Sequence, residues 1–185
     1  MSLSGRKSIS LLQEEIKAAH QLLESTINGV TTEQLHWCPP GTAIPLGATY
    51  AHVIFSEDGI VNGMLSGGIP QFAGPWEGKT GASELPPMPN PQVPGIPDWR
   101  EWSRRVKLDL SAFRQYAQGV YAASEAYLAN LFDEDLNHPV DLGALGMGQV
   151  TIGFILINGV LGHAFTHCGE VSCLKGLQGG RGYPF

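Results

Sequence analysis

The chain has 185 residues, 43% of them hydrophobic and 15% charged, a length that suits one domain (residues 1–185) with its own core. The formal net charge of −6 argues against a dedicated nucleic-acid binder, because the one basic cluster (Arg100, Arg104, Arg105 and Lys107) is interleaved with acids. Three cysteines, Cys38, Cys168 and Cys173, make no disulfide framework, and Met1–Lys7 has no apolar leader core, so a reducing cytoplasm is expected.

Ile9, Leu12, Ile16, Ala19, Leu23 and Ile27 recur at three- and four-residue spacing and predict a first amphipathic helix that stops near Gly29. Thr31 and Gln34 have the spacing of a capping box for a short turn. A second helix is predicted from Pro45 to about Leu65, since proline suits a first turn. On it His52 shares a face with Thr49, Ser56, Gly59 and Gly63, which are small enough to let something bulky approach.

Residues 66–97 hold eight prolines, a density that excludes a helix or a central strand. The segment reads as a surface excursion or as a lid over a site, with Phe72 and Trp76 as its apolar anchors. Asp98 then caps a third helix. Its stripe of Trp99, Trp102, Val106, Leu110, Phe113, Ala117, Val120, Leu128 and Leu131 runs on toward Asn137. The glycine-rich stretch Val140–Gly148 is expected to be a loop with a short extended piece, without a convincing hairpin pattern.

A fourth helix is predicted from Val150 to Lys175, with Gly176 just past its end. Its apolar part, Val150–Phe165, is short for a bilayer and carries Asn158 and His163, so it reads as a buried helix and no membrane partner is expected. Gly153, Gly159, Gly162 and Gly169 each cost about 1 kcal/mol in a helix relative to alanine, which points to close approach of another backbone or a ligand. Four helices with one long Pro/Gly-rich crossover between the second and third predict an all-α four-helix bundle.

His163 and His167 are four residues apart, about 400° around a helix, so both imidazoles leave one face about one turn apart. Two nitrogens so placed can hold one metal ion, and His52 on the second helix would complete a three-histidine site with open positions. Imidazole suits zinc, nickel, copper or ferrous iron. The same spacing also fits two core histidines with local hydrogen bonds.

Glu170 lies about 20° around the helix from His163. It could orient an imidazole, accept a proton or complete the coordination. Glu57 and Asp58 are expected to face solvent or to pack near the end of the bundle. His20 is expected at the edge of the core, and His36 and His138 in exposed connections. Cys168 and Cys173 read as small buried thiols. Arg104 and Arg105 read as a solvated face, or as a grip on an anionic substrate should they face the site.

These residues resemble the DinB-like superfamily of four-helix-bundle metalloproteins. The resemblance rests on Leu35-His36-Trp37-Cys38-Pro39-Pro40, on Leu46 to Val53 ending in Tyr50-Ala51-His52-Val53, and on His163-x-x-x-His167-x-Gly169-Glu170 with the tail Leu174 to Gly179. Ala43-Ile44-Pro45 stands where that family often has a serine. The resemblance implies metal ligands His52, His163 and His167, with water in the remaining positions. It also implies a divalent ion, zinc or nickel, a low-molecular-weight thiol as a further cofactor, a small-molecule substrate and a homodimer. The activity it implies is that of a thiol-dependent transferase or isomerase. A metal-dependent hydrolase and a non-enzymatic metal-binding or stress-response protein are the alternatives, and a bundle without metal is a third.

Overall fold

The stripe that predicts the first helix is the face that α1 (Lys7–Ile27) buries: Ile9, Leu12, Ile16, Ala19, Leu23 and Ile27 are all inside. The computed structural model describes residues 5–87 and 98–185. Gly29, at φ 72°, turns the chain in the left-handed region that favours glycine. The capping box forms as expected on α2 (Thr32–His36): the Gln34 amide donates to Thr31 Oγ1 at 3.2 Å, and the Thr31 amide donates to Gln34 Oε1 at 3.0 Å. Pro45 precedes α3 (Leu46–Asp58), which continues as a π-helical segment over Gly59–Leu65.

The loop after α3 is tied down at its start. The buried Asp58 carboxylate accepts the amides of Gln71 (2.9 Å) and Phe72 (3.1 Å), the Asn62 side chain (2.7 Å) and the Tyr116 hydroxyl (2.7 Å). Phe72 is buried edge-on to Phe55, and Trp76 meets Tyr116 edge-on, so both expected anchors hold this part of the loop. The remainder of the proposed lid, residues 88–97, lies outside the described residues.

The third stripe is not one helix. It divides into α4 (Arg100–Arg105) and α5 (Leu110–Ala129), although Asp98 does accept the Arg100 amide at 2.9 Å as a cap would. The break has a tertiary cause. Lys107–Asp109 pairs with the loop at Gly81–Ser83, through Ser83 N to Lys107 O and Asp109 N to Gly81 O. Gly81 permits this contact: its φ is +84°, and a Cβ there would stand 2.6 Å from the Phe113 amide nitrogen. Asp109 then restarts the helix, accepting the amides of Ser111 and Ala112.

The Val140–Gly148 region also differs from expectation, because it closes a short antiparallel hairpin. β1 (Pro139–Asp141) pairs with β2 (Gln149–Thr151), with Val140 opposite Val150. Gly146 and Gly148, both with positive φ, supply the turn.

Thr151 caps the last helix by accepting the Phe154 amide at 3.1 Å. That helix is continuous over Ile152–Leu177: α6 (Ile152–Phe154), a π-helical segment (Ile155–Gly162) and α7 (His163–Leu177). It outlasts the predicted stop at Gly176 by one residue. It is long and apolar enough to cross a membrane, and only 33% of its most apolar window is buried, so the expectation of a buried helix holds in part. Ile155, Leu156 and Val160 face inward, while Phe154 and Ile157 face out. The expectation for the glycines holds in part: a Cβ on Gly153 would stand 3.1 Å from the Leu136 carbonyl oxygen and one on Gly159 would stand 3.2 Å from the Ile60 side chain, whereas Gly162 meets only its own helix and Gly169 makes an ordinary contact with the Tyr183 hydroxyl. The protein is mostly helical, with α3 and α1 packed on α7 and both also packed on α5. Between them lies a core in which Tyr50, Phe55, Phe113 and Tyr116 are central.

Candidate metal centre

The three histidines singled out by spacing meet in space. His52 leaves the middle of α3, and His163 and His167 leave the first two turns of α7, the helix packed against it. One ring nitrogen from each lies within 4.8 Å of the others. His52 Nε2 and His163 Nε2 are 3.0 Å apart. Two imidazole nitrogens on one tetrahedral zinc, each about 2.0–2.1 Å from it, stand about 3.3 Å apart. The His52–His163 pair is therefore already close to the span that a metal ion sets, and His167 lies within reach of both.

All three rings are half-buried, and for His52 and His163 the surroundings favour the uncharged form. Burial, then the neighbouring His167, lowers His52 to about 4. Burial, then His167 and His52, lowers His163 to about 3. Both rings are neutral at pH 7, the state in which imidazole offers a lone pair to a metal.

The outer partners choose which nitrogen faces the centre. His167 Nδ1 lies 2.7 Å from Glu170 Oε2. A proton on Nδ1, donated to this carboxylate, leaves Nε2 as the ligand atom. Ser56 Oγ lies 3.5 Å from His52 Nδ1 and plays a weaker version of the same part. Trp99 packs edge-on to His52, with ring centroids 4.2 Å apart, and limits how that ring can turn. The small face around His52 thus has a bulky neighbour, supplied by the residue just before α4. Nothing in the sequence pointed to Trp99 beyond its place in an apolar stripe. Among the described residues these three histidines form the one such group, and Glu170 stands outside it.

Other expectations change. His20 is buried, not at the edge, with Nε2 2.8 Å from Glu57 Oε2 and its ring stacked on Tyr121 at 3.9 Å. Glu57 and Asp58 do not face solvent: both are fully buried. They are tolerated because their oxygens are hydrogen-bonded, Glu57 by His20 and by Ser124 Oγ at 2.5 Å, Asp58 by four donors.

His36 is half-buried, and its Nε2 accepts the Leu108 amide at 2.9 Å. Burial, then the charge of Lys107, lowers its pKa. His138 is exposed as expected. Cys168 is buried against Thr26 Oγ1, and burial pushes its thiol up. Cys173, expected inside, is exposed. Arg104 donates to the Gly41 carbonyl and Arg105 to Glu84, both on the surface, in keeping with a solvated face.

Fold and site together define a helical protein with a three-histidine cluster held between two packed helices. Residues 15–171 match the DinB superfamily, and the chain belongs to it. Among solved structures, a conserved protein from Enterococcus faecalis shares the fold, with a TM-score of 0.72 at 19% identity over 96% of this chain and 97% of that one. No curated protein matches the chain.

Proposed function

We propose that this chain is a divalent-metal-binding enzyme of the DinB type, with zinc or nickel held by His52, His163 and His167. The observation that carries the proposal is the convergence of three half-buried nitrogens, with His52 and His163 kept neutral and His167 oriented by a carboxylate. Three protein donors suit a catalytic ion, which keeps a position for water or substrate, better than a structural one, which is closed by four. When bound, the ion supplies Lewis acidity that favours a thiolate or hydroxide at neutral pH.

The chain's own groups do the rest. Glu170 fixes His167, and its half-exposed carboxylate can take a proton from an arriving thiol or water. Trp99 and Ser56 hold the His52 ring. The reaction proposed is thiol-dependent transfer or isomerisation, with a low-molecular-weight thiol as co-reactant and a small electrophile as substrate. The arrangement is read as a four-helix bundle whose crossover follows α3. The outward Phe154 and Ile157 support a homodimer, and we propose a cytoplasmic protein without nucleic-acid or membrane partners.

Elemental analysis of the purified protein and of His163→Ala tests the site. Stoichiometric metal in the first and its loss in the second are expected; no metal after reconstitution would end the proposal. Turnover of an electrophile panel with and without added thiol tests the reaction. Turnover that persists without thiol would replace the transferase by a hydrolase. A metal-loaded protein that turns over nothing would leave a non-enzymatic metal binder.

A further inference from the structure

The loop between β1 and β2 stands beside the two π-helical segments, and an apolar cleft of about 240 Å³ lies between them. The segments come close because Gly159 has no side chain, and a Cβ there would stand 3.2 Å from Ile60. Leu142 and Ile155 line the cleft from inside the fold and are buried. Met64, Met147 and Phe154 line it too, and each is more than a third exposed. The loop itself is held. The Leu142 amide donates to the Gly148 carbonyl at 2.8 Å, the Met147 amide to the Leu142 carbonyl at 3.2 Å, and the Gly143 amide to Asp141 Oδ1 at 2.8 Å. The cleft is thus formed before a ligand arrives, which spares binding the cost of ordering it.

Its chemistry selects the occupant. Among the described residues no charged side chain lines it. Its one polar side chain, Asn158, donates its amide nitrogen back to the Phe154 carbonyl at 2.9 Å. An ion entering there would lose hydration and gain no counter-charge. A ligand that covers Met64, Met147 and Phe154 instead removes apolar surface from water. The two methionines favour an aromatic ring through sulfur contacts and adapt to its shape, and Phe154 can meet it edge to face. Size narrows the choice further. A cavity of about 150 Å³ holds benzene, so about 240 Å³ has room for two fused rings. Nine residues line the cleft, whereas a stable protein interface takes about 20–30 residues a side. The cleft shares no residue with the three-histidine centre, so the inference does not rest on the metal.

We propose that this cleft is a binding site for a small uncharged aromatic compound of one or two rings. The test titrates the whole protein with indole and 2-naphthol as probes, and with benzoate and benzylammonium as charged controls. Calorimetry and the ¹³C-methyl resonances of Met64 and Met147 are the readouts.

Saturable binding of at least one probe is expected, with a Kd at or below about 1 mM, since the rim is open to solvent. Ring-current shifts should appear at both methyls, without a comparable response to the charged controls. Met64→Lys, a change at the exposed rim that sets a charge in the wall, should weaken binding by at least about tenfold. Met147→Ala should weaken it by about twofold to tenfold, the loss of one sulfur–aromatic contact. His163→Ala should bind the probes unchanged, whether or not metal binding is lost. The proposal is overturned by no saturable binding, by equal binding of either charged control, by unmoved methyls, by unchanged affinity in both methionine variants, or by loss of binding in His163→Ala. It is also overturned if a probe binds only by dissociating a dimer, which would make the cleft the seat of a second copy.

Discussion

α3 carries two histidine-linked clusters that solve the burial of polar groups in opposite ways. On one face His52 meets two more imidazoles, and no carboxylate lies among the three ligand atoms. On another face Glu57 meets one imidazole and a serine hydroxyl and is satisfied by protein alone. The first cluster gathers imidazoles that could hold a cation; the second is closed by its own donors. Histidine on an apolar helix is thus not one signal but two, and the partner across the helix interface decides between them.

The largest expected effect comes from breaking the closed cluster. Glu57→Ala leaves His20 and Ser124 without their buried partner and should cost about 3–5 kcal/mol of folding stability, read by urea denaturation. A loss below about 1 kcal/mol would show that water replaces the carboxylate, and the contrast would fail. The same measurement on His163→Ala should show a far smaller loss, or none, in metal-free protein.

Next comes Glu170→Gln, which weakens the grip on His167 and should lower metal affinity by about 10–100-fold with little change in metal-free stability. Metal competition with a chromophoric chelator measures it, and unchanged affinity would remove Glu170 from the centre.

A third test uses pH. His52 and His163 have native pKa values, about 4 and about 3, below the ordinary imidazole value. Between those values and about 6.5 the unfolded chain therefore binds more protons than the native one. Their contribution to stability is present above about pH 6.5 and is lost as pH falls toward 4 and then 3. Metal-free protein should lose stability over that window, and His52→Ala should flatten the slope. Equal slopes would show that these rings are not the buried neutral bases.

The smallest effect is expected from Ser56→Ala. At 3.5 Å its hydroxyl is at the limit of a hydrogen bond, so metal affinity should stay within about threefold.

What could be read from sequence was local. The α1 stripe, the Thr31–Gln34 box, the Pro45 start of α3 and the His163–His167 spacing depend on residues one or two turns apart, and each is found in the structure. The meeting of His52 with that pair was an expectation from its place on a second apolar helix, strengthened by the resemblance; spacing could not supply it, since the two lie more than a hundred residues apart. Glu57 and Asp58 misled because a charged side chain is ordinarily outside, and their donors (His20, Ser124, Tyr116 and the amides of Gln71 and Phe72) come from other segments. The break between α4 and α5 was invisible for the same reason. Its cause is the backbone pairing of Lys107–Asp109 with Gly81–Ser83.

The π-helical segment Ile155–Gly162, which ends at the residue before His163, carries a consequence for length variation in this chain. A π turn is the form in which a helix accommodates one residue more than its α-helical pitch requires. Removing one residue from this segment would let it relax to ordinary α-helix. Leu156 and Val160 would then keep roughly their present direction relative to the histidine pair, because one residue fewer at the α-helical pitch turns the chain about as far as the π-helical segment does. A one-residue deletion within the segment should therefore be tolerated better than the same deletion in α5, with retained metal content as the readout.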